Sequence, residues 1–415
     1  MASTSSAVET QKKTEEAILE HVRLLIQVQY SSRLPVRSKR FRWPSDDWLL
    51  KVQGPLAQAL FDSEETATLA DTSYDKTFLK ALISRIERAI QAYQEEEHEV
   101  DPLLLERYAE LMAMPSSSRS AAMSLNPMDR LSSSMPFSSH APPPDRMVEY
   151  WFPCRSNAQG SSSIEDMWRR IRLCEASSAL VGSGTTACKT WEAALRLASH
   201  LLCHRDELVQ PGSRVLELGS GTGLVSMLMA YLMSDNAIEE GAKTAGSVYA
   251  TDLPVVVASK LQPTIDLNEG ISRPQLCSLD WSDPESSSHL LEDVQPTLIL
   301  GADIVFDPDI CQHLVRVLYD ALRPRASQPS DGSEPAPQAL IASTVRNPST
   351  YSRFLALLDA AGLQTEEVKL DRLEVEPPTT ASGADLHGVP TILPFDSGHD
   401  EAIEGVVKGL RIWLQ

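Results

Sequence analysis

Cysteine is scarce and unpatterned in this sequence. Six occur in 415 residues (Cys154, Cys174, Cys188, Cys203, Cys277 and Cys311), with no CxxC pair and no Cys/His cluster at zinc spacing. A chain this long can bury its own core without staples. A disulfide framework is therefore not expected, nor is a metal ligand set, and the thiols are expected free in a reducing compartment, the cytosol. Long apolar runs are missing too. The longest helix-like one, Gly223 to Met233, is far shorter than a membrane crossing needs. Met1 to Lys13 has no apolar centre, so no secretory signal is expected. Basic charge is the third deficit: 37 Lys and Arg stand against 57 Asp and Glu, a formal net charge of -20. Such a field repels phosphate and excludes a general nucleic-acid or anionic-membrane binder.

What is present has ordinary globular composition, 42% hydrophobic and 23% charged, at a length that predicts two or three domains. Residues 14–114 read as helical. Ile18, Leu19, Val22, Leu25 and Ile26 repeat at helical spacing behind Thr14 as N-cap. Phe78, Leu79, Leu82, Ile83, Ile86, Ile90 and Tyr93 form a second stripe, and Asp101-Pro102 opens a third helix. A helical domain is expected over 1–114. Residues 115–144 hold ten Ser and six Pro, too little apolar surface to offset ordering, and predict a disordered linker. A shorter break follows at Pro324–Pro337.

From 145 to 415 strand and helix patterns alternate. Strand-like runs fall at Arg214–Leu218, Ser247–Thr251, Gln275–Leu279, Thr297–Ala302 and Gln338–Thr344. Helical stretches lie between them at Leu224–Met233, Pro254–Asn268, Asp309–Leu322 and Thr350–Ala361. This alternation predicts an α/β fold: a parallel sheet with helices on both faces. Two last runs, Gln364–Leu370 and Gly409–Leu414, have no helical pattern between them and should pair as an antiparallel hairpin.

Val215-Leu216-Glu217-Leu218-Gly219-Ser220-Gly221-Thr222-Gly223-Leu224 carries the strongest chemical signal: a strand, three alternate glycines, then a helix. Glycine allows the tight turn and close ligand approach, and the helix start offers free N–H groups. A dinucleotide fingerprint would need a small residue at 224, where Leu stands, and no Gly-Lys-Ser/Thr of a P-loop follows. The remaining common ligand of such a loop is S-adenosyl-L-methionine. Asp252 ends the next strand, where an acid can accept hydrogen bonds from ribose hydroxyls.

Further residues carry a resemblance. Leu279-Asp280-Trp281 follows the third strand, and Gly301-Ala302-Asp303-Ile304-Val305-Phe306 ends the fourth. Gly184-Thr185-Thr186 and Thr190-Trp191-Glu192-Ala193-Ala194 precede the glycine loop. Over residues 170–415 these motifs resemble, in order, the seven-β-strand lysine methyltransferases of family sixteen. With its N-terminal helices the chain is most similar to the members that act on elongation factor 2. The resemblance implies a Rossmann-like seven-stranded sheet, S-adenosyl-L-methionine as cofactor, and methyl transfer to a lysine of a protein substrate, elongation factor 2. Another protein substrate of the family, or an inert binding module on the same fold, stays open as an alternative. The resemblance also implies roles. Trp191 would pack on the cofactor, and Gly219, Ser220 and Gly221 would wrap its amino-acid and ribose portion. Asp252 would hold the ribose. Trp281 would cover the adenine, with Asp280 near its amine. Ala302 would line the cofactor. Asp303 would be the catalytic residue that positions the amine, with Phe306 at the substrate side. Cys188 and the long linkers depart from the family's pattern. A cytoplasmic monomer is expected.

Charge is uneven. Residues 364–404 hold ten acids against Lys369 and Arg372. An acidic rim formed by Asp396, Asp400, Glu401 and Glu404 would attract a basic substrate surface. Arg33, Arg37, Lys39, Arg40 and Arg42 form the one opposite patch, which could dock an acidic partner.

Overall fold

Four N-terminal helices bury the stripes read from the sequence. They are α1 (Ala2–Ser31), α2 (Asp46–Phe61), α3 (Thr72–Ala92) and α4 (Pro102–Ala113). In this computed structural model the described residues are 2–62, 71–92, 98–114, 145–154, 167–176, 189–210, 212–240, 246–269, 272–323, 336–378 and 388–414. The expected linker 115–144, Tyr93, Gly184-Thr185-Thr186, Cys188 and most of 324–337 lie outside them. Ile18, Val22 and Ile26 of α1 meet Leu49 and Leu56, Phe78 and Leu82, and Leu104 and Leu111 in one core. Asp101 caps α4 by accepting the Leu103 N–H at 2.9 Å, with Pro102 in the first turn. Thr14 is not an N-cap. It lies inside α1, which begins at Ala2.

A two-stranded antiparallel ribbon comes next, β1 (Asp145–Pro153) with β2 (Trp168–Ala176). The sequence reading did not foresee it. Val148, Tyr150 and Phe152 alternate inward, while Glu149 binds Arg172 across the ribbon at 2.9 Å. Trp168 packs with Ile392 against a second face of α1, made by Leu24, Leu25 and Val28. The helices thereby dock on the rest of the chain. Residues 388–392 complete the joint: Val389 enters the helical core, Ser45 N–H donates to Gly388 O at 2.8 Å, and His21 Nε2 donates to Pro390 O at 3.0 Å.

The main sheet starts after helix α5 (Glu192–Cys203). Its strands are β3 (Arg214–Leu218), β4 (Ser247–Asp252), β5 (Gln275–Ser278), β6 (Leu298–Ala302), β7 (Gln338–Val345), β8 (Leu363–Val368) and β9 (Val406–Leu414). Their order is β5-β4-β3-β6-β7-β9-β8. The first five are parallel, and β9 runs antiparallel to both β7 and β8. This is the expected five-plus-two, Rossmann-like seven-stranded sheet. Alternation sends Val215, Leu298, Leu300 and Leu340 to the face covered by α5 and α6 (Leu224–Glu240). Leu216, Ile299 and Ile341 point to the other face, under α7 (Pro284–Val294), α8 (Cys311–Leu322) and α9 (Pro348–Ala360). Helix α7 was missed in the sequence, although Asp283 and Pro284 mark its start.

Both charged segments are partly tied into the fold. The four rim acids already have internal uses. Asp396 is buried, Asp400 caps α10 (Glu401–Glu404), Glu401 pairs with Arg196 at 2.9 Å, and Glu404 sits 3.2 Å from the His399 ring. In the basic segment Arg37 and Lys39 are exposed, while two other cations are tied into the fold. Arg33 pairs with buried Asp75 at 2.6 Å, and Arg42 reaches the Thr391 carbonyl at 3.3 Å. Among the described residues no disulfide forms, and no helix is long and apolar enough to cross a membrane.

Candidate active site

The carboxyl ends of β3, β4 and β6 open onto one cleft of about 430 Å³. Open α/β sheets bind ligands at such ends, and the volume suits a cofactor-sized molecule. All eight residues singled out from the sequence line it: Trp191, Gly219, Ser220, Gly221, Asp252, Trp281, Ala302 and Asp303. Asp280 and Phe306 line it too.

The glycine loop shapes the floor. Gly219 holds φ +65°, and a Cβ there would stand 2.7 Å from Ile304 Cγ2 and 3.4 Å from the Trp281 ring. Gly221 holds φ +57° with no atom within 4 Å of a Cβ position, an open cradle. Ser220 stitches the loop to β4: its Oγ accepts the Thr251 N–H at 3.0 Å, and its N–H donates to Thr251 O at 2.9 Å. Its hydroxyl is thus committed to the fold. Asp252 accepts Gly221 N–H on one oxygen and Leu253 N–H on the other, both at 2.8 Å. Each oxygen keeps a second lone pair. Burial pushes its pKa up, and the two backbone donors oppose that.

Asp303 is set at the end of β6 with φ +54°. Its Oδ1 accepts Thr344 N–H at 2.7 Å, and its Oδ2 accepts the Thr344 hydroxyl at 2.9 Å and Ala193 N–H at 3.4 Å. The carboxylate therefore ties β6 to β7 and to the start of α5. Arg346, at the end of β7, reaches it at 3.7 Å and lies over the Trp191 ring at 4.9 Å. Lys189 stands 5.8 Å from the same ring.

Glu217, Lys189, Asp307 and His313 also line the cleft and were not assigned from the sequence. Glu217 had a signal, because it sits two residues before the first loop glycine. It is buried, accepts Ser226 N–H at 2.9 Å as well as the Ser226 hydroxyl, and has its pKa pushed up to about 7 by loss of solvent. A carboxyl raised in the fold stabilises fully below its unfolded value of about 4.3 and loses that stabilisation as pH rises through about 7. Glu217→Gln, neutral and of equal size, removes this slope. Without cofactor, the variant's melting temperature should gain several degrees on the parent's between pH 5 and pH 8. Melts at the two pH values check it, and an offset that does not change with pH refutes the burial account.

A cofactor bearing a sulfonium and an ammonium fits this lining. Asp252 and Asp303 supply negative charge, Trp281 a flat apolar wall, and Gly221 the space.

Residues 179–328 match the family model described as lysine methyltransferase. The protein-lysine N-methyltransferase EFM3 of Chaetomium thermophilum is 28% identical over 81% of this chain and 88% of its own length. The protein-lysine N-methyltransferases EEF2KMT of Bos taurus and Homo sapiens are 34% and 32% identical over 48% and 46% of this chain. Those two alignments cover 58% and 55% of the mammalian proteins, so the chain spans little over half their length. A TehB-like SAM-dependent methyltransferase from Corynebacterium glutamicum superimposes over 55% of this chain and 91% of its own, at 15% identity and a TM-score of 0.30. Over residues 179–328 the chain is thus similar to the lysine methyltransferase family, and its cofactor is S-adenosyl-L-methionine.

Proposed function

We propose that the protein transfers methyl groups to a lysine of elongation factor 2 in the cytosol. The observation that carries this reading is the convergence of all eight candidate residues on one cleft at the strand ends. The similarity to the EEF2KMT proteins, whose name carries elongation factor 2, supports the narrower substrate. In this reading residues 1–114 are a helical domain that widens the substrate surface, and 145–415 are the catalytic domain.

The backbone of Gly219, Ser220 and Gly221 wraps the cofactor's amino-acid and ribose portion. The spare lone pairs of Asp252 take the ribose hydroxyls. Trp281 covers the adenine, Ala302 lines the cofactor, and Trp191 packs beside the reacting end. The cofactor supplies an already activated methyl group, so the protein's task is alignment and exclusion of water. The lysine must arrive neutral, because its free pKa is about 10.4. A bare carboxylate beside it would hold it as ammonium. Arg346 offsets the charge of Asp303, so Asp303 can accept an amine N–H without trapping the proton, which leaves to water. Phe306, 48% exposed at the rim, offers apolar contact to the lysine stem.

The test is transfer of labelled methyl from the cofactor to purified elongation factor 2, alongside a whole-cell extract. Label on elongation factor 2 supports the reading. Label on another protein replaces the substrate, and cofactor binding with no labelled protein supports an inert module.

A further inference from the structure

We propose that His200, His204 and Asp371 form a binding site for one divalent transition-metal ion, zinc by its donor set, at the far end of α5 from the active site. His200 and His204 are four residues apart on one helix, so their rings share a face, and their centroids are 4.3 Å apart. Asp371, three residues beyond β8, closes the group. Its Oδ2 lies 2.8 Å from His204 Nε2, and its N–H donates to His200 Nδ1 at 3.2 Å. One donor atom from each residue can be chosen so that all three lie within 4.8 Å of one another.

Zinc bonds to nitrogen and carboxylate oxygen at about 2.0–2.2 Å, so two donors on one ion are at most about 4 Å apart. Small side-chain rotations bring these three into that range. Two imidazoles with a carboxylate are a recurrent zinc set. His200 is buried. The Nδ1 lone pair already points at Asp371, where an ion would replace the backbone N–H. Glu207 stands 3.8 Å from His204 Nδ1, placed to orient that ring. A cavity of about 140 Å³ at this position is lined by all four residues. Two cations oppose the ion: Lys369, 3.7 Å from Asp371, and Arg411, 3.8 Å from Glu207. Binding in the micromolar range is therefore expected, rather than the tight grip of a four-cysteine site.

The site is separate from the cleft. It includes Leu298 and Gln338, the first residues of β6 and β7, whereas the cleft takes the last residue of β6. Helix α5 has 12 residues, about 18 Å of length, between Trp191 and this end. An ion here would clamp the chain leaving β8 to the helix that carries Trp191 at its other end. Asp371 lies 167 residues from His204, so no local ligand spacing marks the group.

The test uses the full chain, stripped of metal with a chelator. Zinc titrated calorimetrically should bind once per chain and raise the melting temperature, while magnesium should do neither. His204→Ala and Asp371→Asn alter partly exposed side chains and should each weaken zinc at least tenfold. Cobalt(II) should give a spectrum of nitrogen and oxygen ligation. No zinc binding, a thiolate band with cobalt, or an affinity that fails to fall tenfold in either variant overturns the site.

Discussion

Asp303→Asn should lower kcat for protein methylation by roughly 100-fold or more while cofactor affinity stays within about threefold. The substitution suits the backbone, because φ is +54° and asparagine is among the side chains that tolerate that region. Its amide oxygen can keep the Thr344 N–H, and the Thr344 hydroxyl can turn to accept the new NH₂ group. The strand-to-strand tie is thus largely retained. What disappears is the charged acceptor that the proposed reaction assigns to the amine, and with it the partner of Arg346. Single-turnover rates with saturating cofactor, beside calorimetric cofactor titration, separate the cases. A parallel fall in rate and cofactor affinity would mean that Asp303 acts through the fold, by way of Ala193 and Thr344, and not on the amine.

That ambiguity shows which parts of the site could be read in the sequence. Apolar runs placed five parallel strands within about a residue of their ends, and β3, β6 and β7, buried on both faces, have no polar alternation to confuse the pattern. The loop from Gly219 to Gly223, Asp252 and Trp281 follow those strands directly, so locating the strands located them. The partners of Asp303 do not follow any strand pattern. Thr344 and Ala193 are 41 and 110 residues away, and the tie exists only once β6, β7 and α5 are packed. The same holds for the rim acids, whose pairing with Arg196 and His399 needs the fold. The β1–β2 ribbon was a different failure. Its alternation of Val148, Tyr150 and Phe152 was visible, but it sits beside the Ser/Pro stretch and its outer face is charged. The docking of α1 on Ile392 and Pro390 joins residues more than 360 positions apart, beyond any local pattern.

The second large effect belongs to Gly221→Ala, which should weaken cofactor affinity about 100-fold or more with only a modest change in fold stability. Gly219 and Gly221 predict different outcomes. At Gly219 a methyl group would collide with Ile304 and press on Trp281, so a substitution there damages the folded protein before any ligand arrives. At Gly221 no atom stands within 4 Å of the added carbon. The cost without ligand is then the left-handed backbone alone, about 1–2 kcal/mol for a residue with a side chain. Gly221 nevertheless lines the cleft and donates its N–H to Asp252, so the new methyl would take up space the cofactor needs beside its ribose acid. A loss of 100-fold corresponds to about 2.7 kcal/mol of binding, more than the backbone strain, which is already present without ligand. Melting without cofactor measures the strain, and calorimetric titration of cofactor measures the lost space. Should Gly221→Ala bind cofactor within threefold of the parent, the open cradle is not where the cofactor lies, and the loop would be reduced to a tight turn between β3 and α6.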